Sequence, residues 1–331
     1  MTTASVLTPS APVPLPAAVP AAVPVSATPA PVAPGAPATR TAGSRGRPGA
    51  PAGPGYSVLL ARTGADLRAA QRLRHLVFAG EMGAVLDSPV PGLDVDAFDE
   101  HCEHLIVRED ATGEVVGTYR LLPPDRAARA GRLYSDSEFD LSNLAPLRRS
   151  LVEVGRSCIH PDHRATGAVV NLMWGGLARY LVESGNTWIA GCCSVPLADG
   201  GATAAGVWDT VAARHLAPEE YRVRPLRPWD PTGVGRPARS VVPPLLRGYL
   251  RLGAWVCGEP ALDPAFDVAD LYVLLSLDRT DPRYLRHFLA AGAAGAAGVA
   301  GAAGPTVPAG AAAPGVAGVA GVRAGGAGTA G

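Results

Sequence analysis

The stretch that most limits how this chain can fold is Leu151–Val170, LVEVGRSCIHPDHRATGAVV. It opens with LVEV, whose apolar pattern predicts a half-buried strand that continues to His160, where Pro161 stops it. A short polar loop follows from Asp162 to Gly167. From Ala168 the spacing changes, and Val169, Leu172, Met173, Leu177, Tyr180 and Leu181 recur at helical intervals. Strand, glycine-bearing loop and helix in that order predict an anion cradle, because loop N–H groups and a helix N-terminus direct positive charge at one spot. Its candidate residues are Arg164, Ala165, Thr166, Gly167 and Ala168. An ordinary turn before a helix has the same local pattern. What distinguishes this one is Glu153 and Arg156, two charges in an otherwise apolar strand, where charged side chains are either paired with each other or working.

The ends of the 331-residue chain differ from its middle. Residues 1–55 are mostly Ala, Pro, Val and Ser, and residues 290–331 almost wholly Ala, Gly, Val, Pro and Thr. Small side chains bury too little area to offset chain entropy, so both ends are expected to be disordered tails around one domain, 56–289. Prolines interrupt the first apolar residues and no basic segment precedes them, so no signal peptide is expected. No window offers the roughly 20 apolar residues of a membrane span. Five cysteines without disulfide-like or zinc-like spacing suit reduced thiols in the cytoplasm. The 29 basic and 29 acidic residues cancel, but Arg40, Arg45, Arg47 and Arg323 sit in tails that hold no acid. The middle is therefore mildly acidic, which argues against a nucleic-acid partner.

In order, Tyr56–Ala61 reads as a strand and Thr63 or Asp66 as the cap of a helix carrying Leu67, Ala70, Leu73, Arg74, Val77 and Phe78. Gly80 to His101 reads as a long acidic loop holding Asp96 and Asp99. His104–Glu109 and Val115–Leu122 form a hairpin, with Arg120 near its end, and Pro123 to Gly131 reads as a turn. After the central unit come a strand at Thr187–Cys193, a helix at Ala202–His215, a helix at Pro243–Trp255 and a strand at Asp270–Leu277. The alternation predicts an α/β (α+β) fold, a mixed sheet with helices on both faces. His101-Cys-Glu-His104 looks metal-like, but alternate residues of a strand face opposite ways, so no metal site is expected. Leu245, Leu246, Leu250 and Leu252 among Arg247 and Arg251 suit peripheral membrane contact.

Taken together, these motifs resemble the GNAT N-acyltransferase superfamily. Arg74 and Phe78, Asp96 and Asp99, Arg120 to Pro123, Phe139, and Glu153 with Arg156 resemble the pattern of acyl-homoserine-lactone synthases. EVGRSCIHPDHR, the helix from Asn171 to Tyr180, Gly191–Ser194 and the stretch from Pro243 to Leu275 resemble more closely the L-ornithine N-alpha-acyltransferases of ornithine-lipid synthesis. The resemblance implies a mostly antiparallel central sheet with splayed central strands. It implies no bound cofactor, and a phosphopantetheine thioester of acyl-carrier protein as co-substrate. Transfer of a long 3-hydroxyacyl group to the alpha-amine of an amino-acid acceptor, L-ornithine, would give lyso-ornithine lipid. The alternatives are another amine or acyl-CoA, or a non-catalytic lipid-binding protein. The wider superfamily has a small residue where this chain has Val169, which fits a carrier-protein phosphodiester better than a CoA pyrophosphate.

N-acylation needs a proton acceptor for the amine and donors aimed at the developing oxyanion. Glu153, with Arg156, is the candidate catalytic pair, and the donors are expected near Cys158–His160, with Tyr119 a bare candidate for protonating the leaving thiol. Arg74, Asp96, Asp99 and Arg120 are candidate acceptor-binding residues. The aspartates either order the loop or hold the amines; the arginines either bind the acceptor carboxylate or pair with the aspartates.

Overall fold

The structure, a computed structural model, describes residues 55–165, 167–286 and 288–290. The expected tails therefore fall almost wholly outside the described residues. Strand β1 (Tyr56–Leu60) leads into helix α1 (Gly64–His75), then β2 (Glu103–Glu109), β3 (Val115–Leu122) and α2 (Pro124–Ala130). β4 (Phe139–Asp140) precedes β5 (Leu151–Ile159), α3 (Ala168–Ser184), β6 (Trp188–Pro196) and α4 (Ala202–Arg214). The chain continues with β7 (Arg224–Pro225), α5 (Pro244–Arg251), β8 (Trp255–Val256), β9 (Ala261–Asp263) and β10 (Val268–Ser276). The main sheet runs β1-β2-β3-β5-β6-β10-β8, with β9 also on β10, and β4 pairs with β7 apart from it. All its neighbours are antiparallel except β5 and β6, the mostly antiparallel mixed sheet expected.

Strand alternation distributes the helices. On β2, Leu105 and Val107 face the core that holds α3, α4 and α5, whereas Ile106 faces α1. Helix α3 carries Gly175 and Gly176 in its interior, each costing about 1 kcal/mol against alanine. Its buried stripe of Val169, Met173, Leu177 and Leu181 outweighs that, since a buried large apolar side chain contributes about 1.5–3 kcal/mol. Thr63 caps α1 in a reciprocal box: its hydroxyl accepts from the Asp66 N–H, and the Asp66 carboxylate accepts from the Thr63 N–H, both at 3.1 Å.

Three expectations need correction. Pro123–Gly131 is not a bare turn: Pro124 opens the short helix α2, which ends at Gly131 with φ +76°. Beyond α1 the chain does not enter a loop at Gly80 but continues through a π-helical turn over Leu76–Glu81 that keeps Val77 and Phe78 buried. Helix α5 is shorter than expected, and its apolar side is spent on the core. Leu246, Tyr249 and Leu252 are buried there, Leu245 and Leu250 are half-buried against the same core, and Arg247 and Arg251 face outward, so Leu246 and Leu252 are not offered to a membrane. No helix among the described residues is long and apolar enough to cross a membrane.

The centre of the sheet is where the fold opens. β5 and β6 pair only over Leu151–Glu153 and Trp188–Ala190, although they run on to Ile159 and Pro196. Two local features govern this parting. At its start, Gly191 lies so close to β5 that an added Cβ would stand 2.1 Å from the Val154 carbonyl oxygen. Further on, Arg156 and Ser157 oppose the single Tyr119 in the β3 register, a bulge in which Arg156 takes a φ of +52°. A bulge bends and twists its strand, here away from β6. Gly191→Ala should destabilise the protein by about 1–3 kcal/mol, the usual cost of overpacking. Urea unfolding of the variant against wild type measures it.

Candidate active site

Arg74 from α1, Arg120 from β3, Arg156 from the β5 bulge, and Asp94, Asp96 and Asp99 from the loop before β2 form a closed ring of alternating charge. Arg74 meets Asp94 (2.9 Å) and Asp99 (2.7 Å); Arg120 meets Asp99 (3.2 Å) and Asp96 (2.6 Å). Arg156 closes the circuit with Asp96 (3.3 Å) and Asp94 (3.2 Å). Each guanidinium touches two carboxylates and each carboxylate two guanidiniums. Arg74 is wholly buried and donates also to the Asp94 carbonyl, and Gln71 donates to Asp99 at 2.9 Å. The ring fastens the long loop onto the sheet and holds the Arg156 backbone in its strained turn. Phe98, Tyr134 and Phe266 stack against the Arg120 and Arg156 guanidiniums at 5.0–5.9 Å.

Beside this ring lies a cavity of about 230 Å³ at the parting of β5 and β6. It is lined by Glu153 to Ser157 on one strand and Cys192 to Ser194 on the other, with Phe78, Met82, Leu245 and Phe266 supplying apolar wall. Of the acceptor-binding candidates only Arg120 lines it. Arg74, Asp96 and Asp99 lie behind, committed to the ring, so for them the pairing alternative describes the geometry. Glu153 and Arg156 both line the cavity but do not pair with each other. Glu153 accepts from the N–H groups of Tyr134 (2.5 Å) and Ser135 (2.9 Å), and Arg156 belongs to the ring. Burial pushes the Glu153 carboxyl up, with those N–H bonds pulling the other way.

The expected donor position also moves. His160 already gives its N–H to the Val116 carbonyl, and Cys158 and Ile159 are in register with β3. The residues that leave that register are Arg156 and Ser157, at the bulge and on the cavity wall. Tyr119 reaches the cavity, but its hydroxyl is buried in a 2.5 Å contact with that of Tyr249, and burial raises its pKa. In the cradle segment, Gly167 takes φ +68° at the start of α3, and no described side chain caps it. Arg164 is held by Glu81 at 2.6 and 2.7 Å and by the Ile159 carbonyl at 2.9 Å. Ala165 precedes the turn, Ala168 opens the helix, and Thr166 lies outside the described residues.

Three acids escaped the sequence reading. Asp94 sits two residues before Asp96, and two ring arginines await it. Asp270 is a charge inside the apolar strand β10, the signal that singled out Glu153. Glu138, with Phe139 beside it, has no comparable local signal. Glu138, Asp270 and the Cys192 thiol come within 4.8 Å of one another, all on the cavity wall. Burial and mutual repulsion push Glu138 up, and burial pushes Asp270 up despite the 2.6 Å bond it receives from Ser194. Desolvation and the neighbouring carboxyls raise the half-buried Cys192 thiol well above its ordinary value, which leaves it a poor nucleophile.

The two groups of acids titrate with opposite sign. Burial alone would raise Asp96 and Asp99, but bonds and charge from Arg120 and Arg74 overcome it and lower both. Their contribution to stability is full above the ordinary aspartate pKa of about 3.9 and disappears as pH falls through their lowered folded values. Glu138, Asp270 and Glu153 are raised, so their contribution is full below the ordinary carboxylate range and is lost as pH rises through their folded values. Asp99→Ala should cost about 3–5 kcal/mol near neutral pH, as expected when a buried pair loses one partner. In urea unfolding across pH, Asp99→Asn should flatten the acid limb, and Glu138→Gln should flatten the decline toward alkaline pH.

Residues 73–175 match the family model described as the acetyltransferase (GNAT) domain. The chain is 36% identical over 252 residues to the L-ornithine N(alpha)-acyltransferase of Rhizobium meliloti (strain 1021), covering 69% of this chain and 82% of that one. It is 36% identical over 236 residues to the L-ornithine N(alpha)-acyltransferase of Rhodobacter capsulatus, covering 66% and 89%. Among solved structures, the CoA-dependent acyl-homoserine lactone synthase BjaI, with SAM and isopentyl-CoA, aligns at a TM-score of 0.44 and 16% identity over 71% of this chain and 88% of that one. On the sequence identity to relatives covered over most of their length, this chain is an acyltransferase that belongs to the L-ornithine N(alpha)-acyltransferase family.

Proposed function

We propose that the protein transfers a long-chain 3-hydroxyacyl group from acyl-carrier protein to the alpha-amine of L-ornithine, giving lyso-ornithine lipid. The observation that carries this reading is the match, at 36% identity, over more than four fifths of relatives with ornithine in their names. The cavity supplies supporting chemistry. The neutral amine attacks the thioester carbonyl carbon, the C–S bond breaks, and the thiolate leaves and takes up a proton. In this reading Glu153 accepts the proton of the ammonium, because it lines the cavity and is held in place there by the Tyr134 and Ser135 N–H groups. Its raised pKa makes it a stronger base than a solvated carboxylate. Backbone N–H groups of the Arg156–Ser157 bulge are the proposed oxyanion donors.

The segment Arg164 to Ala168, including Thr166, is the proposed phosphopantetheine grip. Arg164 must then share its guanidinium between Glu81 and the phosphate. Val169, where the wider superfamily has a small residue, packs its side chain into the core against Gly117, so the carrier-protein donor rests on the family resemblance.

Mass spectrometry of reactions of the whole chain with L-ornithine and either acyl donor tests the proposal. It expects an N-acyl-ornithine, formed at least about tenfold faster from the carrier-protein donor, and Glu153→Gln should lower kcat by about 10²–10⁴. Absence of the amide contradicts the reaction, equal use of acyl-CoA contradicts the donor, and an undiminished Glu153→Gln rate contradicts the base.

A further inference from the structure

The charges around the cavity do not balance. In the ring, three guanidiniums meet three carboxylates, matched one to one in charge, although the buried Arg156 Nε finds no hydrogen-bond partner among the described residues. Arg120 and Arg156, the cations that reach the cavity, are therefore already matched. Yet Glu138, Asp263 and Asp270 also line it, and no ion pair to any of them is found among the described residues. Asp270 is 3% exposed. Ser194 fixes its carboxylate at 2.6 Å, and Cys192 contacts Glu138 at 3.4 Å. Carboxyls buried without a counter-cation are costly and tend to hold protons instead. A ligand that brings positive charge removes that cost.

We infer that Glu138 and Asp270 form a subsite for the side-chain ammonium of a diamino-acid acceptor, and so make the enzyme select a basic amino acid over a neutral one. This rests on the reading of the protein as an amino-acid N-acyltransferase. The placement follows from the sheet. The reacting amine must sit where β5 and β6 part, beside Glu153 and the bulge. Asp270 lies on β10, on the far side of β6 and about 4.8 Å further away, one strand spacing. A three-carbon side chain with a terminal ammonium bridges that separation. The acceptor carboxylate then faces Arg156 on β5, whose buried Nε has no hydrogen-bond partner among the described residues. A diamino acid carries two ammonium groups and one carboxylate, a net positive charge, which is the sign the cavity lacks.

Calorimetric titration of the whole chain with L-ornithine and with L-norvaline, the same carbon chain without the terminal amine, reads the subsite without needing turnover. Wild type should bind ornithine at least about tenfold more tightly, and Glu138→Gln and Asp270→Asn should each lose most of that preference while still unfolding cooperatively. Folded variants that keep the preference, or a wild type that shows none, overturn the subsite. If neither carboxyl variant folds, Ser194→Ala decides: a preference reduced supports the subsite and one unchanged overturns it. A preference that EDTA abolishes and a divalent cation restores assigns the carboxyls to a metal and also overturns it. Selective ornithine binding by a wild type that makes no acyl-ornithine sinks the acylation reading and leaves the subsite standing.

Discussion

Six charged side chains closed into a ring tie the long loop before β2 to helix α1 and to the parting strands. A long loop, a helix and two strands meet around the Arg74, Arg120 and Arg156 guanidiniums, beside an apolar cluster in which Leu73, Val77, Phe78, Ala84, Val115 and Cys158 join the same elements. Burying six charges is expensive, and an apolar cluster would hold the same elements at less cost. What such a cluster lacks is direction. Each guanidinium has two partners at set angles, so the ring fixes the bulge at Arg156, and the bulge keeps the central strands apart.

The opening has two chemically different sides. Toward the ring, charge is neutral in sum, and the arginines lie over the rings of Phe98, Tyr134 and Phe266. Toward β10 the wall carries Glu138, Asp263 and Asp270, none of them in an ion pair among the described residues. Glu153 stands between the two sides on β5, the last residue of that strand to pair with β6. A substrate with charges of both signs is oriented by such a wall before any chemistry begins, and orientation accounts for much of what an acyltransferase must supply.

Much of this was legible in the sequence, and the misses have physical causes. The strand–loop–helix at Leu151–Val170 was readable because period-two and period-3.6 patterns meet at a proline. Arg74, Arg120, Asp96 and Asp99 were visible through the family resemblance, which gave pairing of arginines with aspartates as one alternative. Their joining into one ring was not, because it depends on a loop path that no periodicity encodes, and Asp94 was lost with it. Asp270 was missed although it follows the same logic as Glu153. Glu138 lies in a short irregular segment, where pattern carries little information about direction. For α5 the apolar spacing was read correctly and its destination was not: amphipathicity shows that one side is buried, not against what.

The account predicts which nitrogen reacts, because one amine is held at the acidic wall and the other reaches the parting strands. Fragmentation mass spectrometry of the product from 15N-alpha-labelled ornithine reads this directly. Acyl groups found only on the labelled alpha nitrogen are the predicted result. Acylation on the side-chain nitrogen, or an even mixture, would contradict it.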